Sequence, residues 1–172
     1  MRIIATLTFV LLCVGSAAAE ECRKPTITHS KEFEKVKALE GRWEGTMLEG
    51  EKSDPVTVTY RTTSGGSAVV ETISPGTPHE MVSVYHDEKG GLTMTHYCML
   101  GNQPKLSVRG SRPNGFALTF AQGNTIDPAT EDHMHSLEFV FIDERTMVQK
   151  WGSMQGGKER DAKTIFKLSR AE

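Results

Sequence analysis

From Gly41 onward the chain breaks into short alternating runs bounded by Gly, Pro, Asn or Asp, and this punctuation excludes most folds. Period-two alternation marks a strand with one buried face, because successive side chains point to opposite sides of the pleat. Candidate strands fall near 42–48, 55–62, 67–73, 80–86, 92–99, 104–109, 115–120, 135–142, 146–152 and 161–169. Most connections are short and carry turn residues, as in Thr63-Ser64-Gly65-Gly66, Arg112-Pro113-Asn114-Gly115, Asp143-Glu144-Arg145 and Gln155-Gly156-Gly157, which suits antiparallel neighbours. The expected fold is therefore all-β, an antiparallel up-and-down β-barrel of about ten strands. One connection stands apart: residues 121–134, AQGNTIDPATEDHM, form a long polar stretch of the kind that is either functional or loosely ordered.

Several strands declare which face is inside. Val56, Val58 and Tyr60 oppose Thr57, Thr59 and Arg61, while Phe116, Leu118 and Phe120 line one face, and Phe166 and Leu168 share another. A single core face per strand is what barrel closure requires. Ahead of the strands, Phe33, Val36 and Leu39 fall at helical spacing, with Ser30 as N-cap and Gly41 as the stop, so one short N-terminal helix is expected.

The first 19 residues carry Arg2, an apolar run over 3–14, and the small-residue site Ala17-Ala18-Ala19, which together describe a secretory signal peptide cleaved after Ala19. The run is too short to span a bilayer core, which takes about 20 apolar residues, and no later segment approaches that length. The expected organisation is signal peptide 1–19, flexible lead-in 20–30 and barrel domain 31–172, with an exported, periplasmic or extracellular product. Glu20 and Glu21 separate the cleavage point from Cys22, which argues against lipidation. Removing the signal leaves 153 of the 172 residues and takes the formal charge from −2 to −3. No basic run remains to track phosphates, so nucleic acid is excluded as an expected partner. Cys22 and Cys98 are left in an oxidising compartment, where pairing is an open alternative.

The chemistry-bearing residues concentrate in 79–106, HEMVSVYHDEKGGLTMTHYCMLGNQPKL, which reads as a hairpin. Opposed residues must lie on the same side of a sheet. A five-residue loop over 87–91 opposes His86 to Leu92, Val84 to Met94, Val82 to His96 and Glu80 to Cys98, and so brings both apolar sets together. A loop of even length sets Val84 against threonines instead, so the odd loop is expected, with His96 and Cys98 inward and His86 near the rim. In HMHSLEFVF, His133 and His135 share the alternation of Leu137, Phe139 and Phe141. Two imidazoles two residues apart on a strand can reach one metal. His96, Cys98, His133 and His135 are accordingly the candidate metal set, with zinc or haem as cofactor, set against the plainer account of hydrogen-bonded core residues. His79 is expected in solvent, and Glu71 and Glu80 are expected on solvated surface. The sequence carries no phosphate-cradling glycine loop, nucleophile elbow, HExxH or CxxC motif.

The helix followed by Leu39-Glu40-Gly41-Arg42-Trp43-Glu44-Gly45 resembles the G-x-W start of the lipocalin-like, or calycin, β-barrels. In that superfamily the Trp closes one end of the barrel against an Arg from the last strand, which the resemblance places at Trp43 and Arg170. More widely, SGGSAVVE, PHEMVSVYH, THYCMLGNQP, HMHSL and the final KLSR resemble a family of uncharacterised exported bacterial lipocalin-like proteins, which implies a fold but no activity. The strand count resembles the fatty-acid-binding and nitrobindin branches, and haem enters only by analogy with the latter.

The sequence thus points to a non-enzymatic, exported barrel, monomeric or weakly associating, that binds a small hydrophobic or amphipathic molecule. The pocket residues expected are Tyr60, Val82, Val84, Met94, His96, Cys98, Phe116, Leu118, Phe120 and His135. Two alternatives stand beside it: a haem- or metal-binding barrel using interior histidines, and an enzyme of isomerase or cyclase type with His and Glu as acid–base groups.

Overall fold

The computed structural model describes residues 28–172. The signal peptide, its cleavage site, residues 20–27 and Cys22 lie outside the described residues. The helix α1 (Lys31–Lys37) leads into strands β1 (Gly41–Glu49), β2 (Lys52–Thr63), β3 (Ala68–Ile73), β4 (Met81–Glu88), β5 (Gly91–Tyr97), β6 (Lys105–Arg112), β7 (Gly115–Phe120), β8 (His133–Phe141), β9 (Thr146–Gln155), β10 (Lys158–Glu159) and β11 (Thr164–Arg170). Neighbouring strands pair antiparallel in a meander, β11 pairs with both β1 and β9, and β8 pairs with β9, so ten strands close into a barrel. The two-residue β10 is an appendage on the end of β9. Each expected strand is present, and the form is consistent with a lipocalin-like fold.

One end of the barrel is plugged. Ser30 caps α1 by accepting the Phe33 N–H through Oγ at 3.1 Å, and Asp87 at the end of β4 accepts from both the N–H and the hydroxyl of Ser30, at 2.7 and 2.5 Å. That clamp fixes where the helix lies, so the end of the lead-in is already tied to the barrel. Phe33 and Val36 are fully buried, and Leu39 and Trp43 continue the plug. The Trp43 indole donates to the Leu39 carbonyl at 2.8 Å, and the Arg170 guanidinium lies 4.6 Å from the indole centroid. The same guanidinium donates to the carbonyls of Glu40 and Ala38 at 2.6 and 2.7 Å, satisfying acceptors left open where the helix ends. Gly45 lets β1 and β11 approach closely here: a Cβ at that position would stand 1.9 Å from the Lys167 carbonyl oxygen.

Two details of register differ from the alternation argument. The β4–β5 loop has two residues, Lys89 and Gly90, both at positive φ (53° and 82°), and Glu88 pairs with Gly91. This is the tight, twisted turn that hairpins prefer. It opposes His86 to Thr93, Tyr85 to Met94, Val84 to Thr95 and Ser83 to His96. Ser83 and Tyr85 therefore face inward, whereas Val82, Val84 and His86 lie on the outer face, half-buried. The reason is next door on β3, where Val69, Glu71 and Ile73 are the buried set. An inward Glu71 needs donors, and the Tyr85 hydroxyl supplies one at 2.8 Å that no valine can.

The second detail is a bulge between Met134 and Ser136. It breaks the alternation, so His135 and Leu137 no longer share a face: Leu137 is fully buried, while His135 lines an outer groove with Ser136, Glu138 and Lys150.

Candidate functional site

A polar row crosses the barrel wall. Register places Tyr60 beside Glu71, Glu71 beside Ser83, and Ser83 beside His96, on four consecutive strands. All four are buried. The Glu71 carboxylate accepts from the Tyr60 hydroxyl at 2.6 Å, the Tyr85 hydroxyl at 2.8 Å and the Gln149 amide at 2.6 Å. Gln149 reaches across from β9, also donates to the Tyr60 oxygen at 2.5 Å, and accepts from the Trp151 indole at 3.2 Å. Burial, then the neighbouring Glu71 charge, pushes both phenols well above the usual tyrosine range. Tyr60, Tyr85 and Gln149 thus act as fixed neutral donors to a buried carboxylate, and no lysine or arginine among the described residues contacts it.

His96 ends this row and behaves differently. Its Nδ1 lies 3.0 Å from the Ser83 hydroxyl, and its ring packs against the Trp151 indole with centroids 4.9 Å apart. Its Nε2 has no hydrogen-bond partner among the described residues, although the residue is only 2% exposed. Burial alone lowers the imidazole to about 4, so it is neutral near pH 7.

The open space beside His96 is a chamber of about 170 Å³ at the barrel end opposite α1. Its floor and inner walls are His96, Trp151, Ile73 and Phe166, and Met47, Met81 and Met134 stand around it, with Glu49 and Thr164 at the rim. Glu49 is engaged by Arg160 at 3.1 Å. Larger depressions lie outside the barrel: a polar groove of about 390 Å³ beside His135, and a cleft of about 610 Å³ against Trp43 and Arg170 at the plugged end. Neither enters the barrel.

The expected pocket set is dispersed. His96 alone lines the chamber. Tyr60 is held in the Glu71 network, and Met94, Phe116 and Leu118 are packed in the core below it. Val82 and Val84 are corrected to the outer face by the two-residue turn. Cys98 lies past the end of β5, where its backbone N–H donates to the Asn102 carbonyl at 3.1 Å, and partial burial pushes its thiol up. Phe120 stacks on His135 at 5.4 Å and packs on His133 at 4.5 Å.

The candidate metal set does not assemble either. His133 Nδ1 is 2.7 Å from the Glu131 carbonyl, and its Nε2 is 3.1 Å from His135 Nδ1, so the two rings bond each other instead of presenting two lone pairs. Burial, then His133, lowers His135 from its ordinary value. Among the described residues, no three His, Cys, Asp or Glu side chains group as a metal site. The expected surface Glu71 is corrected to full burial, while Glu80 is exposed and accepts the Gly76 N–H at 2.5 Å.

The residues that sequence reasoning missed are Trp151, Met47, Met81 and Met134 in the chamber, and Tyr85 and Gln149 beneath it. Alternation of Met147, Gln149 and Trp151 on β9 was the available signal for two of them. Chemically, the chamber offers apolar walls, one neutral imidazole and an aromatic face. Glu71 lines no part of it, so His96 and Glu71 do not share an acid–base site.

The fold and chamber define a class, an up-and-down β-barrel sealed at one end by a helix and hollow at the other. No protein-family model matches the sequence, and no curated protein matches it.

Proposed function

We propose that this is an exported binding protein of lipocalin-like type, which holds a small ligand in the chamber beside His96 and Trp151. The observation that carries this is Nε2 of the buried His96, a polar atom without a hydrogen-bond partner among the described residues, on the wall of a largely apolar space. A ligand that hydrogen-bonds there satisfies an atom that the protein's described side chains leave unpaired. Size limits the ligand sharply. A cavity of about 150 Å³ accommodates benzene, so about 170 Å³ takes one ring or a short chain end. The small hydrophobic or amphipathic molecule expected from the sequence is thereby narrowed to one of about this size.

The test is ligand-observed NMR with single-ring compounds such as phenol, pyrrole and benzene, together with Trp151 fluorescence. Affinities on the order of 0.1–1 mM are expected from ligands with so few atoms. His96→Phe, which fills the chamber, should abolish binding while the protein stays folded. Absence of binding across the panel overturns the proposal. Export is tested separately by the intact mass of protein recovered outside the cytoplasm, expected to begin at Glu20; recovery of only the uncleaved chain from the cytoplasm counts against export.

A further inference from the structure

We propose that the chamber is a site for a monovalent soft cation, Cu(I) or its analogue Ag(I), held by His96 Nε2 and the thioethers of Met81 and Met134 against the Trp151 ring. This names the occupant of the chamber above and rests on that proposal.

Register brings these groups together. Ser83 is directly opposite His96, and Met81 precedes Ser83 by two residues on the same face, so Met81 is diagonal to His96 and nearer the mouth. Diagonal neighbours stand about 7–8 Å apart, within reach of long side chains. On the other wall Met134 pairs with Ser153, two residues beyond Trp151, which makes Met134 diagonal to Trp151 in the same way. The two walls meet where His96 packs on Trp151 at 4.9 Å. The imidazole and indole therefore form the floor, and the thioethers stand one layer above them.

The chemistry of this set selects the ion. Thioether sulfur is a soft ligand and favours Cu(I) over the harder divalent ions. In the tautomer that carries its proton on Nδ1 and donates it to Ser83, His96 presents a lone pair at Nε2, and a hydroxyl on the far nitrogen fixes the ring as metal-binding histidines require. The ligands are all neutral and the walls apolar, which disfavours a second positive charge. The indole face adds attraction for a bare cation. Methionine is unbranched and adaptable, so modest rotamer changes can draw both sulfurs inward.

The test uses the signal-cleaved chain with Cys22→Ser and Cys98→Ser, so that no thiol competes. Under anaerobic conditions it should withdraw one equivalent of Cu(I) from its bicinchoninate complex, and Ag(I) should bind with quenching of Trp151 fluorescence. Zn(II) should not displace either. Met81→Leu/Met134→Leu preserves volume and removes both sulfurs, and should weaken Cu(I) and Ag(I) binding by about 100-fold or more. The double variant should keep the wild-type near-ultraviolet circular dichroism and urea midpoint, which separates loss of the thioethers from loss of the fold. Ring binding without Cu(I) binding overturns the cation and leaves the proposed function standing, and failure of both removes both. Cu(I) binding that the double variant retains in full also overturns this site.

Discussion

Acidification offers a direct measure of how the His96 site is built into the fold. The imidazole ordinarily titrates at 6.5, and burial lowers it to about 4 in the folded protein. Between those values the unfolded chain takes up a proton that the folded protein refuses. Stability from this residue is therefore fully present above about pH 6.5, declines as pH falls toward 4, and is lost below it. At about 1.4 kcal/mol per tenfold change in proton activity, the loss approaches about 3 kcal/mol. That is a large fraction of the roughly 5–15 kcal/mol that holds a typical domain together. The groups facing the ring are Ser83, Trp151 and the chamber methionines, and the charged residue at the rim, Glu49, is engaged by Arg160. Among the described residues, no carboxylate contacts the ring to stabilise the imidazolium. The assay is urea unfolding of wild type and His96→Gln from about pH 7.5 to about pH 4, followed by tryptophan fluorescence. Other carboxylates contribute to both proteins, so the difference between the two curves isolates His96. The wild type should lose about 3 kcal/mol more than the variant across that window. A constant difference with pH would refute the argument that the buried ring is held neutral.

Three further outcomes follow from contacts elsewhere. Gly45→Ala should destabilise by about 1–3 kcal/mol in urea unfolding, because the new Cβ would meet the Lys167 carbonyl, whereas Gly110→Ala, which meets nothing within 4 Å, should change stability by less than about 0.5 kcal/mol. Arg170→Leu should cost about 1–3 kcal/mol and diminish the near-ultraviolet circular dichroism of Trp43, since it removes the stacked cation and two hydrogen bonds to carbonyls at the helix end. Tyr60 and Tyr85, raised well above 10 by burial and then by Glu71, should contribute no phenolate absorbance until the protein unfolds in alkali, and stability should fall as pH rises above 10.

The strands were legible because alternation and turn residues are local properties. The barrel face of β2 and β11, the helix cap at Ser30 and the boundaries of most strands follow from residues within a few positions of each other. The β4–β5 register was not legible by the same means. Counting apolar residues favours Val82 and Val84 inside, and that count omits the hydrogen-bond demand of Glu71 on the adjacent strand. Satisfying a buried carboxylate outweighs two valine side chains that can remain half-covered outside. The same limit explains β8. Period-two logic puts His133 and His135 with Leu137, but one inserted residue in the bulge defeats it, and nothing in HMHSL marks the insertion. The chamber was hidden for a third reason: Met47, Met81 and the Met134–Trp151 pair come from β1, β4 and the β8–β9 hairpin, and only closure of the barrel assembles them.

The interior is divided by the polar row, and this division determines what the barrel can hold. Toward α1, the plug of Phe33, Val36, Leu39 and Trp43 and the buried Met94, Phe116, Leu118 and Leu137 fill the interior as one core. At mid-height Glu71 fixes Tyr60, Tyr85 and Gln149, and Gln149 in turn holds the Trp151 indole. Trp151 is thus oriented from below and offers its ring to the His96 side. A buried carboxylate with three donors tolerates little displacement, because each lost bond leaves a polar group stranded in the core. The floor of the chamber is consequently rigid, while three unbranched methionines give it an adaptable wall toward the mouth. In the proposed ligand site the imidazole and indole would be the fixed contacts and the methionines the adjustable ones.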